Sequence, residues 1–285
     1  MIPLTQLKKD VAFNQHLTKV VEVMKSIATA KYHLLEKRLA LFKEYFEVAG
    51  EFLTVLDPAQ ARHPFVQVQT PVMGVLLVTS DGGFLGGLNA QVVNLGLSEA
   101  GPDARVTVIG ERGIYYLRDT KHQVAAFPGI QDDERQRMGL ALQIRDHLVQ
   151  QVLDGACGRV IVVYPKPVSF TVQELTIEPL LPCTGWMPKQ TLAPSPFLIW
   201  ESPMDGVLEY VVMQWIGLRL GEIFAMARLS EMAARAVHLE GSHQELVRRG
   251  KKLKHQYLRT RHEIIDRSIR EVCVAQMLNG KPSES

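Results

Sequence analysis

Along the first part of the chain, apolar or small residues recur at Leu4, Leu7, Val11, Val21, Met24, Ala28, Leu35, Leu39, Phe42, Phe46, Ala49, Phe52, Leu53 and Leu56. Steps of mostly three, four or seven residues place them on one stripe of an amphipathic helix or on a coiled-coil seam. Asn14, Thr18 and Lys31 interrupt the stripe. A second run, Val211, Trp215, Leu218, Ala225, Leu229, Met232, Ala236, Leu239, Leu246, Leu253, Tyr257 and Ile264, keeps similar spacing. The pattern predicts two long helices packed in a bundle, the first of roughly 50 residues and so about 75 Å at ~1.5 Å per residue. A rod of that length needs a partner along most of it, and the second run supplies one. Gly217, Gly221, Gly241 and Gly250 fall inside that second run. Each weakens a helix by roughly 1 kcal/mol relative to alanine or lets another chain approach closely, which argues against a single unbroken rod.

Between these runs the period changes. Met73 to Thr79 is a nearly continuous apolar stretch, as expected of a strand buried on both faces. A glycine-rich turn, Ser80 to Asn89, follows, then a helical stretch toward Leu97. Next come a strand at Arg105–Ile109, a helix from Glu111 to Arg118, a longer one from about Asp132 to Leu153, and a strand at Arg159–Tyr164. Extended runs at Val168–Thr176 and Glu178–Leu181 suggest an antiparallel edge. Alternating strands and helices imply a mostly parallel α/β sheet. Proline agrees with this division, because 13 of the 15 lie between Pro58 and Pro203. Proline removes a donor and clashes with the preceding helical turn, so only the proline-free ends suit long helices. The expected divisions are an N-terminal helix over 1–57, an α/β domain over 58–203 ending in an irregular connector from Pro182, and a C-terminal helix over 204–285.

Composition narrows the function less than the pattern does. With 46% hydrophobic and 22% charged residues the chain is ordinary for a globular protein, and its formal net charge of +2 gives no global attraction to nucleic acid or to an anionic membrane. The charge is instead local: Arg248, Arg249, Lys251, Lys252, Lys254, His255, Arg259, Arg261, Arg267 and Arg270 crowd the second helical run. Such a stretch reads as a solvated helix face, a DNA-binding basic helix or a surface that meets an acidic protein. With Tyr257 as its lone aromatic, protein is favoured over DNA. Cys157, Cys183 and Cys273 are far apart and odd in number, which suits reduced thiols. The start of the chain shows no export signal, and Val207–Ala227 carries Glu209, Arg219 and Glu222, a poor membrane span. No GxSxG elbow, phosphate-loop GxxxxGK[ST] or paired-histidine metal motif occurs. Gly82, Gly83, Gly86 and Gly87 do not fit GxGxxG, so tight-turn geometry explains that loop better than a nucleotide site.

Several segments in order resemble one family. Val23 to Lys31 (VMKSIATAK) is similar to the MKMVAAAK segment of the γ subunit of F-type ATP synthases, and Val78 to Asn89 (VTSDGGFLGGLN) to its TSDRGLCGGFN signature. Ile109 to Gly113 resembles IGRKG, Ser230 to Val237 resembles SEHAARMVAM, Tyr257 to His262 resembles YNxARQ, and Glu271-Val272 the EI that follows. The resemblance covers almost the whole chain. It implies an α/β fold in which the two terminal helices form a long antiparallel coiled coil and the middle a Rossmann-like α/β domain at its foot. It also implies a function: a non-catalytic central shaft, needing no cofactor of its own, that transmits torque between a membrane ion-driven rotor ring and catalytic β subunits. Its partners would be a ring of three α and three β subunits, the small ε subunit and the membrane c-ring, and its place the cytoplasmic face of a bacterial plasma membrane, peripheral to the lipid.

Residue by residue, the resemblance places Met24 and Lys25 against the acidic lever loop of β, and Arg261, His262 and Asp266 at a β catch loop. Ser80, Asp81, Gly83, Gly86, Gly87 and Asn89 match the signature loop. A basic shaft against acidic levers is physically sensible, since charge complementarity orients a sliding surface without tight packing. The chain departs from the pattern at Gly82 for Arg, Leu85 for Cys, His262 for Gln, Asp266 for Thr and Ser268 for Glu. Such drift suits a divergent subunit with its own matched α and β partners. A stand-alone α/β nucleotide-binding enzyme with helical extensions and a coiled-coil DNA-binding protein are the alternatives.

Overall fold

A computed structural model describes residues 3–39, 63–185 and 203–279. In chain order these form α1 (Leu4–Leu39), β1 (Met73–Val78), α2 (Leu88–Glu99), β2 (Arg105–Ile109), α3 (Glu111–Tyr116), β3 (Gln123–Phe127), α4 (Glu134–Leu153), β4 (Arg159–Pro167), β5 (Gln173–Leu181) and α5 (Met204–Asn279). The stripe positions from Phe42 to Leu56, and most of the connector after Pro182, lie outside the described residues. Two compact units result: residues 28–237, and residues 1–27 together with 238–285.

In the first of these units the five strands are ordered β3-β2-β1-β4-β5. The first four run parallel, and β5 is antiparallel to β4. β1 lies at the centre with Val75 opposite Val106 on one side and Ile161 on the other. Its unbroken apolar run has a simple cause, because alternate residues serve two separate cores. Leu76 and Val78 face a cluster with Ile144, Leu148 and Val152 of α4 and Leu220, Ile223 and Phe224 of α5. Val75 and Leu77 face a second cluster with Val92 and Val93 of α2. Both faces are covered, so the side chains of β1 are buried on either side.

Three details differ from the pattern. β3 is a strand that the sequence does not announce: its residues Gln123-Val-Ala-Ala-Phe127 are half exposed at the sheet edge, and alanine has little strand preference. β4 extends through Pro167, and residues 168–172, expected to begin the next strand, form the hairpin turn in which the Val168 and Ser169 N–H groups donate to the Val172 carbonyl. The glycines do not break the last helix, because α5 is continuous for 76 residues. At Gly217 a Cβ would come within 3.1 Å of Leu142 on α4, so the missing side chain admits a neighbouring helix. The same helix is buried on almost every side from Leu220 to Ala236, which repays the glycine penalty through tertiary packing.

Within residues 1–27 and 238–285, α1 and α5 run antiparallel on a heptad seam. Leu7, Asn14 and Val21 are buried at seven-residue steps, and Val11, Thr18 and Lys25 are half-buried between them. Facing them, Leu239, His243, Leu246, Gly250, Leu253, Tyr257 and Thr260 alternate steps of four and three. Asn14 and Thr18, which read as interruptions of the stripe, therefore sit in the seam. Asn14 is 5% exposed and its side-chain amide donates to the Leu246 carbonyl at 3.0 Å. Gly250 makes the room, since a Cβ there would lie 2.8 Å from the Asn14 nitrogen.

Candidate functional site

The signature loop leaves the carboxyl end of β1, where the strand order reverses, the position at which doubly wound sheets bind nucleotides. Here the loop's polar groups satisfy one another. The Ser80 N–H donates to Asn89 Oδ1 at 3.2 Å, and the Asn89 amide donates to the Ser80 hydroxyl at 3.0 Å. Asp81 Oδ1 accepts the Glu111 N–H at 2.9 Å, taking the first donor of α3. Gly110 (φ 92°) packs so tightly that a Cβ would lie 2.7 Å from the Ser80 backbone. Gly86 and Gly87 take positive φ to turn the chain into α2, while Leu85 and Leu88 pack on Ala234 of α5. The Gly83 carbonyl accepts from Arg235 of α5 at 3.3 Å, and a side chain at Gly82 would meet that guanidinium at 2.3 Å. Arg235 also matches the Arg of SEHAARMVAM, so its presence does not explain the departure at Gly82. Ser80, Asp81, Gly83, Gly86, Gly87 and Asn89 are thus brought together as a self-bonded turn gripped by α5.

Further along the same unit lies an ionic node that sequence reasoning missed. Asp132, just before α4, accepts from Lys31 of α1 at 2.6 Å and from Arg228 of α5 at 2.8 Å. Arg228 also pairs with Glu231 at 2.5 Å, and Glu231 in turn with Arg235 at 2.6 Å. Burial alone would raise the Asp132 pKa, but the hydrogen bonds from Lys31 and Arg228 outweigh it and hold the carboxyl below the usual range. On β5, Glu178 takes a bidentate grip from Arg219 of α5 at 2.5 and 2.6 Å and a bond from the Tyr164 hydroxyl at 3.0 Å. Burial, and then the neighbouring Glu178, push the Tyr164 hydroxyl well above its usual pKa. One signal was available: Arg219, Glu222, Arg228, Glu231 and Arg235 are charged residues in a mostly apolar stretch of helix.

The residues matched to β contacts lie elsewhere. Met24 is half-buried, and Lys25 reaches across the seam to Glu240 at 2.9 Å. Arg261, His262 and Asp266 are exposed, and from Arg261 to Met277 every residue of α5 is exposed. Ile264, Ile269, Val272, Val274 and Met277 are among them, an apolar load with no cover among the described residues. The two α1 residues and the three α5 residues do not form one cluster: Lys25 sits opposite Glu240, and Arg261 is 21 positions further on, roughly 32 Å along a helix. Among the described residues no group of His, Cys, Asp or Glu could hold a metal ion, and no helix is long and apolar enough to cross a membrane.

A mostly parallel sheet whose first turn bonds to itself and to a long C-terminal helix defines an α/β domain built onto that helix. The ATP synthase family model matches residues 4–276. The ATP synthase gamma chain of Laribacter hongkongensis is 24% identical over 278 residues, covering 94% of this chain and 96% of that protein. That of Clostridium perfringens is 26% identical over 280 residues, covering 94% and 95%. Among solved structures, a chain of the Euglena gracilis mitochondrial ATP synthase, in a structure of OSCP, F1 and c-ring, superposes with a TM-score of 0.70 at 18% identity over 99% of this chain and 98% of that one. The chain belongs to the ATP synthase gamma-chain family. It is a non-catalytic central shaft, which sets aside both the nucleotide-dependent enzyme and the DNA-binding coiled coil.

Proposed function

We propose that residues 1–57 and 204–285 form the shaft inside a ring of three α and three β subunits, with residues 58–203 as a foot against an ε subunit and a membrane c-ring. Rotation of the foot would turn the shaft and drive each catalytic β site through its states in sequence. The observation that carries this reading is the bare end of α5, where Arg261 to Met277 expose apolar and basic residues together. An isolated helix of that length is marginal in water, so this stretch calls for a surrounding surface. Arg261 and His262 would bond a β catch loop, while Asp266 requires a partner loop less acidic than the family's. Met24 would meet the acidic lever of β. Lys25 is already held by Glu240, so any β contact it makes shares its ammonium group. The similar Euglena chain belongs to a structure that contains F1 and c-ring, which supports the same assembly here. The complex would sit at the cytoplasmic face of a bacterial membrane.

The test is cross-linking in the purified complex. A cysteine at Met24 or Arg261 is expected to link to β and, once linked, to stop ATP turnover. Undiminished turnover with the link in place overturns the β-contact assignment.

A further inference from the structure

We propose that Arg219, Arg228 and Arg235 of α5 act as three pins that carry turning load between the α/β domain and the two long helices, the central one seated on Asp132. The proposal rests on the shaft function and adds the residues through which load passes.

The packing between α5 and the α/β domain is mostly apolar, with Leu220, Ile223 and Phe224 in one cluster with Ile144 and Leu148 of α4. Apolar burial is non-directional, so it resists separation more than slip. Resistance to slip requires directional bonds, and charge-assisted hydrogen bonds supply them. Three points on the α/β domain have such bonds to α5: Glu178 on β5 through Arg219, Asp132 before α4 through Arg228, and the Gly83 carbonyl through Arg235. Arg219 and Arg228 are nine positions apart, about two and a half turns at ~3.6 residues per turn, so they leave the helix on roughly opposite sides. Rolling α5 in either direction strains one of them. Arg235 lies seven positions beyond Arg228, on nearly the same side and roughly 10 Å further along, so tilting is opposed as well.

Asp132 has a second property. Its Oδ1 takes Arg228 of α5 and its Oδ2 takes Lys31 of α1, so one carboxylate of the domain grips both helices. Buried ion pairs are poor sources of net stability, and apolar replacements are often as stable. Two partly buried ion pairs and one charged bond to a backbone carbonyl on one helix therefore point to direction-specific restraint beyond any added stability.

The experiment uses the assembled enzyme in inverted membrane vesicles and measures both ATP hydrolysis and ATP-driven ion pumping. Asp132→Ala is expected to co-purify with α and β and to hydrolyse ATP, while ions pumped per ATP fall several-fold; Asp132→Glu is expected to recover much of the ratio. An unchanged ratio in assembled Asp132→Ala overturns the proposal. A second variant covers the case in which Asp132→Ala does not assemble. Lys31→Cys with Asp132→Cys, in a Cys273→Ser background, is compared before and after a short bismaleimide link. The link is expected to raise the ratio, and a ratio that stays low after linking overturns the proposal. Failure of the unaltered chain to co-purify with α and β would count against the shaft function instead.

Discussion

Gly250→Ala isolates how the seam tolerates a buried amide. In an exposed helix the change stabilises by about 1 kcal/mol through propensity. Here the new Cβ would lie 2.8 Å from the Asn14 nitrogen, and Asn14 would have to give up its bond to Leu246. Losing that bond and leaving a buried amide unpaired costs about 1–3 kcal/mol, so the single variant should come out neutral to destabilised by about 2 kcal/mol. Asn14→Ala removes the obstacle, and in that background Gly250→Ala should recover its full gain of about 1 kcal/mol. The coupling between the sites is therefore about 1–3 kcal/mol, a size that double-mutant cycles resolve for touching residues. Amide hydrogen exchange across Leu7–Lys25 in the assembled complex reads it as local opening, where about 1 kcal/mol is roughly a fivefold change. If Gly250→Ala slows exchange equally in both backgrounds, Gly250 is not there to house Asn14, and the account of the seam is wrong.

Gly110→Ala should destabilise the α/β domain by at least about 2 kcal/mol, because positive φ and collision with Ser80 backbone add; thermal melting of the complex checks it. Burial pushes the Cys157 and Cys183 thiols up to about 11, so a thiol reagent at neutral pH should label Cys273 alone until the chain unfolds. Asp132 has a lowered folded-state pKa, so its pairing is in full force above the ordinary carboxylate value of about 3.9 and fails only as pH falls through the lower one. Melting temperatures of the unaltered complex and of Asp132→Asn should therefore differ near neutral pH and converge in strong acid.

The α/β order was legible because β1, β2 and β4 are apolar on both faces, so their burial is written into consecutive residues. The weak strand β3 was not, since an edge strand is defined by its single neighbour and not by its own side chains. On α1 the seven-residue period was visible, but Asn14 read as a fault in it: nothing local reveals a carbonyl 232 positions away that accepts its amide. The ionic node was hidden for the same reason, because Lys31, Asp132 and Arg228 meet only after the whole domain has folded. Charge inside an apolar helix hinted at Arg219 and Arg228, but partners could not be assigned from order alone.

The seven-residue seam of Leu7, Asn14 and Val21 against α5 carries one more implication. A helix of ~3.6 residues per turn holds a period of 3.5 only by winding left-handed around its neighbour. Such a cable is chiral under twist: torque of one sense tightens the winding and presses the seam together, and torque of the other sense loosens it. An enzyme that runs as synthase in one direction and as ATPase in the other therefore works against two different springs, and the bond from Asn14 to the Leu246 carbonyl lies across the seam that both would load.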